Sequence, residues 1–305
     1  MQAFLSAVNY ESEMLDWGNG QTRYVHRWRP LDESPWGCVS IVHGFGDHGG
    51  RFSGMATSLA SMGLGVVACD LVGHGRSPGK RGVIDSYEEL LDEVERTLEH
   101  AMVFWERIPH FLFGQSMGGN LVLNWGMRRE TSRFPIFGIV AGSPMLRSPN
   151  TPKESIMNAG RWLAERLPNL RIPTPVQVSK LSQDRRAQDA YLRDPWVHRS
   201  MSLRLAASLI DSGLWAIEHA SELKLPALLM HGSEDRLTCP EGTREFAERA
   251  GKIVTHRSWQ GCRHDLHDEP QRERVFATMA HWFKEQCVRS AVDPSVTYFV
   301  QRLAA

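Results

Sequence analysis

Phe111-Leu112-Phe113-Gly114-Gln115-Ser116-Met117-Gly118-Gly119 is the stretch on which the fold turns. An apolar run leads into a glycine-flanked serine, and Leu121, Val122 and Trp125 continue beyond it at helical spacing. A strand therefore enters a sharp turn and leaves it as a helix, with G-x-S-x-G at the turn. Such a turn holds its serine in a strained backbone conformation and lifts the hydroxyl clear of the sheet. Side chains at 114 and 118 would collide with neighbouring backbone, so glycine stands at both. The helix N-terminus behind the serine favours negative charge.

Working outward, apolar runs bounded by turn residues predict strands at Cys38–Val42, Gly65–Cys69, Phe137–Ala141, Leu225–Met230 and Ile253–Ser258. Between the early ones lie helical patterns. After Ser86, the residues Leu90, Leu91, Val94, Leu98 and Met102 recur at helical spacing, and Ser86 with Glu89 reads as a capping box. This alternation predicts an α/β chain with a parallel sheet covered on both faces. Phe4–Glu11 and Thr22–Trp28 flank Gly18-Asn19-Gly20 and predict an antiparallel hairpin on the sheet edge. After Pro144 the alternation stops. From about Arg147 to Trp215 no strand is expected, only helices and loops inserted between two strands. Eleven Lys and Arg stand there against six Asp and Glu. The insert is basic, which fits either a solvated outer face or attraction to anionic lipid or substrate.

The chain has 305 residues, 42% of them apolar and 23% charged, which suits a soluble globular protein of one large domain or two modest ones. Lys plus Arg and Asp plus Glu both number 35, and this balance excludes a nucleic-acid role driven by bulk charge. No apolar run is long enough for a transmembrane helix. The first 17 residues show neither a basic nor an apolar signal region, so a cytoplasmic protein is expected. Five cysteines suggest no disulfide framework: Cys38 and Cys69 read as buried thiols, and Cys239 with Cys262 as a conceivable redox pair. The apolar residues of the tail from Ser290 are expected to pack on the core.

A serine hydroxyl needs a base, and the base an orienting acid, in the chain order Ser, acid, His. Leu225–Met230 runs into His231-Gly232-Ser233-Glu234-Asp235, and Ile253–Ser258 runs into Trp259-Gln260-Gly261-Cys262-Arg263-His264. Asp235 and His264 thus lie past strand ends on the rim that carries Ser116. Glu234 competes as the acid and His267 as the base. Asp265 and Asp268 are expected to be solvated or capping, and His74 and His231 carry no functional signal by themselves. An oxyanion needs two converging backbone N–H groups. One comes from Met117, and the other from Phe45 in His43-Gly44-Phe45-Gly46, a loop of the H-G-x-G type. The same loop matches G-x-G-x-x-G through Gly44, Gly46 and Gly49, with Asp70 closing the next strand. That supports a rival dinucleotide-dependent oxidoreductase, which leaves Ser116, Asp235 and His264 unexplained. His43, Asp47 and His48 could be read as a metal cluster but lack a further ligand group.

These motifs resemble the α/β-hydrolases of the monoacylglycerol lipase and lysophospholipase type, the serine aminopeptidase S33-like family. The resemblance is carried by His43–Arg51, Asp70–Ser77, Gly114–Gly119, His231–Leu237 and His264–Glu269, in family order. It implies an eight-stranded, mostly parallel sheet flanked by helices. A helical cap (147–215) would follow strand 6, with 1–146 and 216–305 forming the core. It implies Ser116 as nucleophile, His264 as base, Asp235 as acid, and Phe45 and Met117 as oxyanion donors. Mammalian lipases of the family carry a cysteine three residues past the acid, where Thr238 stands here. The function implied is hydrolysis of a lipid-like monoester, a monoacylglycerol or lysophospholipid. No metal or organic cofactor is implied. Arg51 and His267 would either line the alcohol side or only pair with neighbouring carboxylates, and the cap would touch a membrane surface peripherally. Short-chain carboxylesterase, thioesterase and proline-type aminopeptidase are the rivals within the fold, and a non-catalytic binding module is the rival outside it.

Overall fold

The structure is a computed structural model that describes residues 8–18, 20–31, 34–150 and 153–292. The strands are β1 (Val8–Gly18), β2 (Gln21–Pro30), β3 (Gly37–Val42), β4 (Leu64–Cys69), β5 (His110–Gln115), β6 (Ile136–Gly142), β7 (Arg171–Pro173), β8 (Ser200–Ser202), β9 (Ala227–Gly232) and β10 (Val254–Trp259). The helices are α1 (Ser53–Ser61), α2 (Tyr87–Phe104), α3 (Met117–Arg128), α4 (Glu154–Arg166), α5 (Arg185–Arg193), α6 (Leu203–Glu218), α7 (Pro240–Ala250) and α8 (Arg272–Val292).

Eight strands form one sheet in the order β1-β2-β4-β3-β5-β6-β9-β10. β1 and β2 form the expected edge hairpin, antiparallel to each other and to β4, and the remaining pairs are parallel. The hairpin strands run longer than their apolar content suggests, and the expected start at Phe4 lies outside the described residues. The central strands β3, β4, β5, β6 and β9 are buried throughout, as a sheet covered on both faces requires.

Side-chain alternation along the strands splits the core in two. Leu112, Ile139 and Leu229 pack with Leu91 and Val94 of α2, Leu121 and Trp125 of α3, Leu209 of α6 and Phe246 of α7. Phe111, Phe113, Val140 and Leu228 pack instead with Met55 and Leu59 of α1 and Phe276, Met279 and Phe283 of α8. Truncating a ring such as Phe113 to alanine would cost about 3–5 kcal/mol. The capping box at α2 forms with a shift. Ser86 Oγ accepts the Glu89 N–H (3.1 Å), while the Glu89 carboxylate accepts the N–H of Asp85 (2.9 Å), one residue before the cap.

The segment between β6 and β9 is mostly helix and loop, with one correction to the expectation that it holds no strand. β7 and β8 pair antiparallel as a separate two-stranded sheet. Three residues each, far apart in the chain, offer no local periodicity to read. The expected boundary at Trp215 falls inside α6, whose Ser212 is hydrogen-bonded to Asn120 of α3 (3.1 Å). Among the described residues no helix is long and apolar enough to cross a membrane. Beyond Val292 the tail lies outside the described residues.

Candidate active site

Ser116 joins β5 to α3 with φ 56° and ψ −112°, in the left-handed region that a serine occupies only at a cost of about 1–3 kcal/mol. The surroundings enforce this. A Cβ at Gly114 would overlap the carbonyl of Gly118, and one at Gly118 would overlap the carbonyls of Val42 and His43. The backbone of Ser116 is pinned by its N–H to Gly142 O (2.9 Å) and by Asn120 and Met145 N–H groups on its own carbonyl (3.0 and 2.9 Å). Its side chain does not cap α3.

The parallel register brings the loops after β3, β5, β9 and β10 to one rim: Val42 lies opposite Gly114, Gln115 opposite Gly142, and Gly232 opposite Trp259. His264, past β10, is buried, and its carbonyl accepts from Gln115 Nε2 (3.0 Å) and Ser143 Oγ (2.8 Å). Its Nδ1 lies 2.7 Å from Oδ2 of Asp235. The same carboxylate accepts from Thr238 Oγ1 (2.8 Å), from the N–H groups of Leu237 and Thr238 (2.7 and 3.1 Å), and faces His231 Nε2 (3.1 Å). Burial alone would raise the pKa of Asp235, but the two imidazoles hold it far below the carboxylate range. Burial alone would lower that of His264, but the charge and hydrogen bond of Asp235 outweigh it and raise it to about 9.

A cavity of about 250 Å³ is lined by Ser116, His264, Thr238, Phe45 and Met117 on the sheet side. Val176, Leu181, Tyr191, Met201, Ala206, Leu209 and Ile210, all from the segment between β6 and β9, close its other side. Ser116 and His264 thus line one largely apolar hollow, and Asp235, outside its lining, meets the far nitrogen of the imidazole. The loop bearing Phe45 is fixed by His43. Its Nε2 accepts the Leu71 N–H (2.9 Å), so Nδ1 carries the hydrogen that Gly44 O accepts (2.8 Å). Gly46, at φ 72°, is roofed by His198, whose N–H donates to the Gly46 carbonyl (2.9 Å). Phe45 packs edge-on against the His198 ring (5.2 Å).

The family model for serine aminopeptidase, S33, matches residues 33–271. The chain belongs to that family. The S33 chain is 30% identical over 273 residues to a monoglyceride lipase of Homo sapiens, covering 88% of each protein. A monoacylglycerol lipase of Paleococcus ferrophilus superposes with a TM-score of 0.76 at 32% identity, over 87% of this chain and 99% of that one. The S33 chain is also 28% identical over 268 residues to an uncharacterized abhydrolase domain-containing protein of Dictyostelium discoideum, spanning 87% of itself but 28% of that longer protein. The fold is that of the α/β-hydrolases, and the S33 chain is a hydrolase of the lipase/esterase class.

In this S33 hydrolase Glu234 is exposed, and Asp235 takes the place against His264. His267 does not reach Asp235 or the cavity; it is buried, stacked on Phe52 at 4.5 Å. Arg51 stands behind the cavity wall, paired with Asp47 (2.8 Å) and Asp268 (3.1 Å), its guanidinium 4.9 Å from the Tyr191 ring centroid. Asp265, expected to be solvated or capping, is not solvated, and although it stands at the N-cap of the turn over 266–268 its side chain makes no capping hydrogen bond. It is buried and lines the cavity, because its N–H is drawn to Leu181 O (2.7 Å). Cys239 and Cys262 are free thiols bonded to Glu241 and Gln271. Both ring nitrogens of His43 are committed, so the grouping of His43 with Asp47 and His48 offers no metal ligand from it. His26, His48 and Asp70 do bring ligand atoms within 4.8 Å of one another. Asp70 already accepts the N–H groups of Gly49 and Arg76 (both 2.8 Å), and His48 meets Asp194 (3.0 Å), so these groups are tied into structure. The sequence reading passed over the ring of His231 and the hydroxyl of Thr238, both on Asp235. The signal available was their placement four residues before and three after the acid, at a strand end.

Proposed function

We propose that this protein is a serine hydrolase that cleaves carboxylic esters of lipid-like substrates, monoacylglycerols or lysophospholipids, through Ser116, His264 and Asp235. The observation that carries this reading is the strained Ser116 sharing an apolar cavity with His264, whose far nitrogen is held by Asp235. In the first step Ser116 Oγ attacks the acyl carbonyl as His264 Nε2 takes its proton. The N–H groups of Phe45 and Met117 hold the oxyanion, each worth roughly 2.7–4 kcal/mol. The C–O bond to the alcohol breaks, and His264 returns the proton to the departing oxygen. Water, deprotonated by His264, then releases the acid and restores Ser116. Asp235 fixes the tautomer of His264 and stabilises its cation.

Residues 147–215 act as a cap, because they supply the apolar wall of the cavity. That wall favours an acyl chain over a charged peptide. The cap also offers a lipid-facing surface: Ile156, Trp162, Leu167, Leu170 and Ile172 are exposed, with Arg166 and Arg171 among them.

A hydrolysis panel on the full-length protein tests the reading, with Ser116→Ala as control. It would span p-nitrophenyl esters from acetyl to palmitoyl, monoacylglycerols, lysophosphatidylcholine, acyl-CoA and proline p-nitroanilide. Turnover of monoacylglycerol or lysophospholipid that disappears in Ser116→Ala is expected. Equal rates in both proteins would overturn the assignment, and turnover of short esters alone would move it to a carboxylesterase.

A further inference from the structure

Asp235 meets two imidazoles, and the reaction above uses one of them. The other belongs to His231, the penultimate residue of β9, which is 1% exposed. His231 Nε2 lies 3.1 Å from Asp235 Oδ2, the oxygen that also meets His264 Nδ1 at 2.7 Å. His231 Nδ1 lies 2.8 Å from Thr243 Oγ1 on α7, and Thr243 is fully buried. These partners fix the tautomer. Nε2 faces the Asp235 carboxylate and also the Thr238 hydroxyl (3.2 Å), whose own hydrogen goes to that carboxylate, so Nε2 carries a hydrogen and Nδ1 can accept one from the Thr243 hydroxyl.

We propose that His231 is a positioning residue for the hydrolytic reaction: by directing its Nε2 hydrogen at Asp235 Oδ2 and at the Thr238 hydroxyl that donates to the same oxygen, it limits how strongly that carboxylate holds a proton on His264. The proposal rests on the triad reading above. Oδ2 faces three donor groups, on His264, His231 and Thr238, while the backbone N–H groups of Leu237 and Thr238 hold Oδ1. Each donor on Oδ2 spreads the negative charge and weakens the field at His264. The backbone donors on Oδ1 keep the carboxylate in place when His231 is changed. Loss of the His231 N–H therefore concentrates charge toward His264, and its proton leaves only at higher pH. The base is then scarcer at neutral pH, while its chemistry once deprotonated is intact. A residue that merely fills space would lower the rate equally at every pH.

The other charged groups in this neighbourhood remain constant in such variants. His264 also faces Asp47 from the loop after β3 and Asp265 in its own loop. His231 also faces Glu241 on α7 and His256 on β10.

The test compares kcat/KM from pH 6 to pH 10 for wild type, His231→Phe, His231→Gln, Thr243→Val and Thr243→Ser. A p-nitrophenyl ester serves as substrate, and active sites are counted with a serine-directed fluorophosphonate. His231→Phe is expected to move the acid limb up by about one pH unit. That lowers kcat/KM about tenfold at pH 7, with the difference fading toward pH 10. His231→Gln, whose amide N–H serves the same oxygen, is expected to restore the limb. Thr243→Val, which frees the His231 tautomer, is expected to move it in the same direction as Phe, and Thr243→Ser to leave it in place. A limb unmoved or moved to lower pH in His231→Phe, or identical profiles for Phe and Gln, would overturn the proposal. If His231→Phe does not fold, the two Thr243 variants decide: a shift in Val and none in Ser supports it, and identical profiles overturn it. Ser116→Ala keeps the two readings apart. Turnover that survives Ser116→Ala overturns the triad reading. Turnover lost there, with unmoved profiles in the other variants, overturns the His231 proposal alone.

Discussion

His264 Nδ1 lies 2.7 Å from Asp235 Oδ2, whereas Glu234, the carboxylate one residue earlier, faces solvent. The difference predicts two unlike outcomes for like substitutions. Asp235→Asn keeps the shape but presents His264 with the wrong hydrogen-bonding partner, and on the proposed mechanism kcat should fall about 10⁴-fold. Glu234→Gln should leave kcat unchanged. Steady-state kinetics on a p-nitrophenyl ester decide, and equal effects of the two substitutions would remove Asp235 from the site.

The pH profile of activity follows from the same pair. On the proposed mechanism His264 must be neutral to take the Ser116 proton. Burial lowers its pKa, but Asp235 outweighs that and raises it to about 9, above the ordinary histidine value. The reactive form therefore accumulates as pH rises through the alkaline range. We expect kcat/KM to climb from pH 6.5, to reach half its maximum near pH 9 and to level off only above it. A half-maximal point at or below pH 6.5 would show that Asp235 does not hold the proton on His264.

How far the site could be read from the sequence depended on the distance over which each signal acts. The turn at Ser116 is local, because glycines at 114 and 118 respond to carbonyls that the strand and helix themselves bring close. The positions of Asp235 and His264 were legible because both follow apolar strands whose ends a parallel sheet must gather. Asp265 was misread because its burial comes from Leu181, some eighty residues away and in the insert. β7 and β8 were invisible for the same reason: Ile172 pairs with Met201, and neither segment carries a pattern of its own. His231 was passed over because a single histidine is uninformative until Thr243 on one side and Asp235 on the other fix its tautomer.

Stability should peak near neutral pH. His110 is buried and His198 half-buried, neither beside a compensating charge; burial depresses both to about 4, and the Arg81 charge adds to the lowering of His198. An unfolded histidine titrates near 6.5, so between pH 6.5 and 4 the unfolded chain binds more protons, and stability falls as pH falls. His110 alone accounts for about 3 kcal/mol across that window. His264 acts with the opposite sign. Its raised pKa gives stability that is full below pH 6.5 and lost as pH rises through about 9. Melting temperatures recorded from pH 4 to 10 should fall on both sides of neutrality, and His110→Gln should flatten the acid slope. An acid slope unchanged in that variant would exclude His110 as a cause.

The buried pair between Arg23 and Glu93 ties the edge hairpin to α2. Arg23 Nε and Nη2 grip the carboxylate at 2.8 and 2.6 Å, and both side chains are almost fully buried. Replacing Arg23 by alanine strands a carboxylate that burial already pushes toward its neutral form. The cost should be about 3–5 kcal/mol. The double variant Arg23→Met with Glu93→Leu should recover most of it, since removing both charges removes the desolvation penalty. Urea unfolding midpoints measure the difference. A double variant no more stable than Arg23→Ala would show that the charges, rather than the packing of their stems, hold the hairpin.

Chain-length preference should be set by α6. The cavity beside Ser116 is lined by Ala206, Leu209 and Ile210, and a second apolar hollow of about 190 Å³ between α4 and α6 shares Ala206 and Ile210 with it. Small Ala206 thus leaves a thin wall between two apolar spaces. Ala206→Trp would place an indole in the first and displace methylenes of the acyl chain, each worth about 0.8 kcal/mol. Two displaced methylenes correspond to about a tenfold change in the ratio of kcat/KM for palmitoyl over acetyl esters. The acetyl ester should be cleaved at the original rate, because on the proposed mechanism its carbonyl needs only Ser116, His264 and the N–H groups of Phe45 and Met117. If both esters lose activity equally, the indole has disturbed the reacting groups themselves. If neither changes, the acyl chain leaves Ser116 by a path that does not pass Ala206.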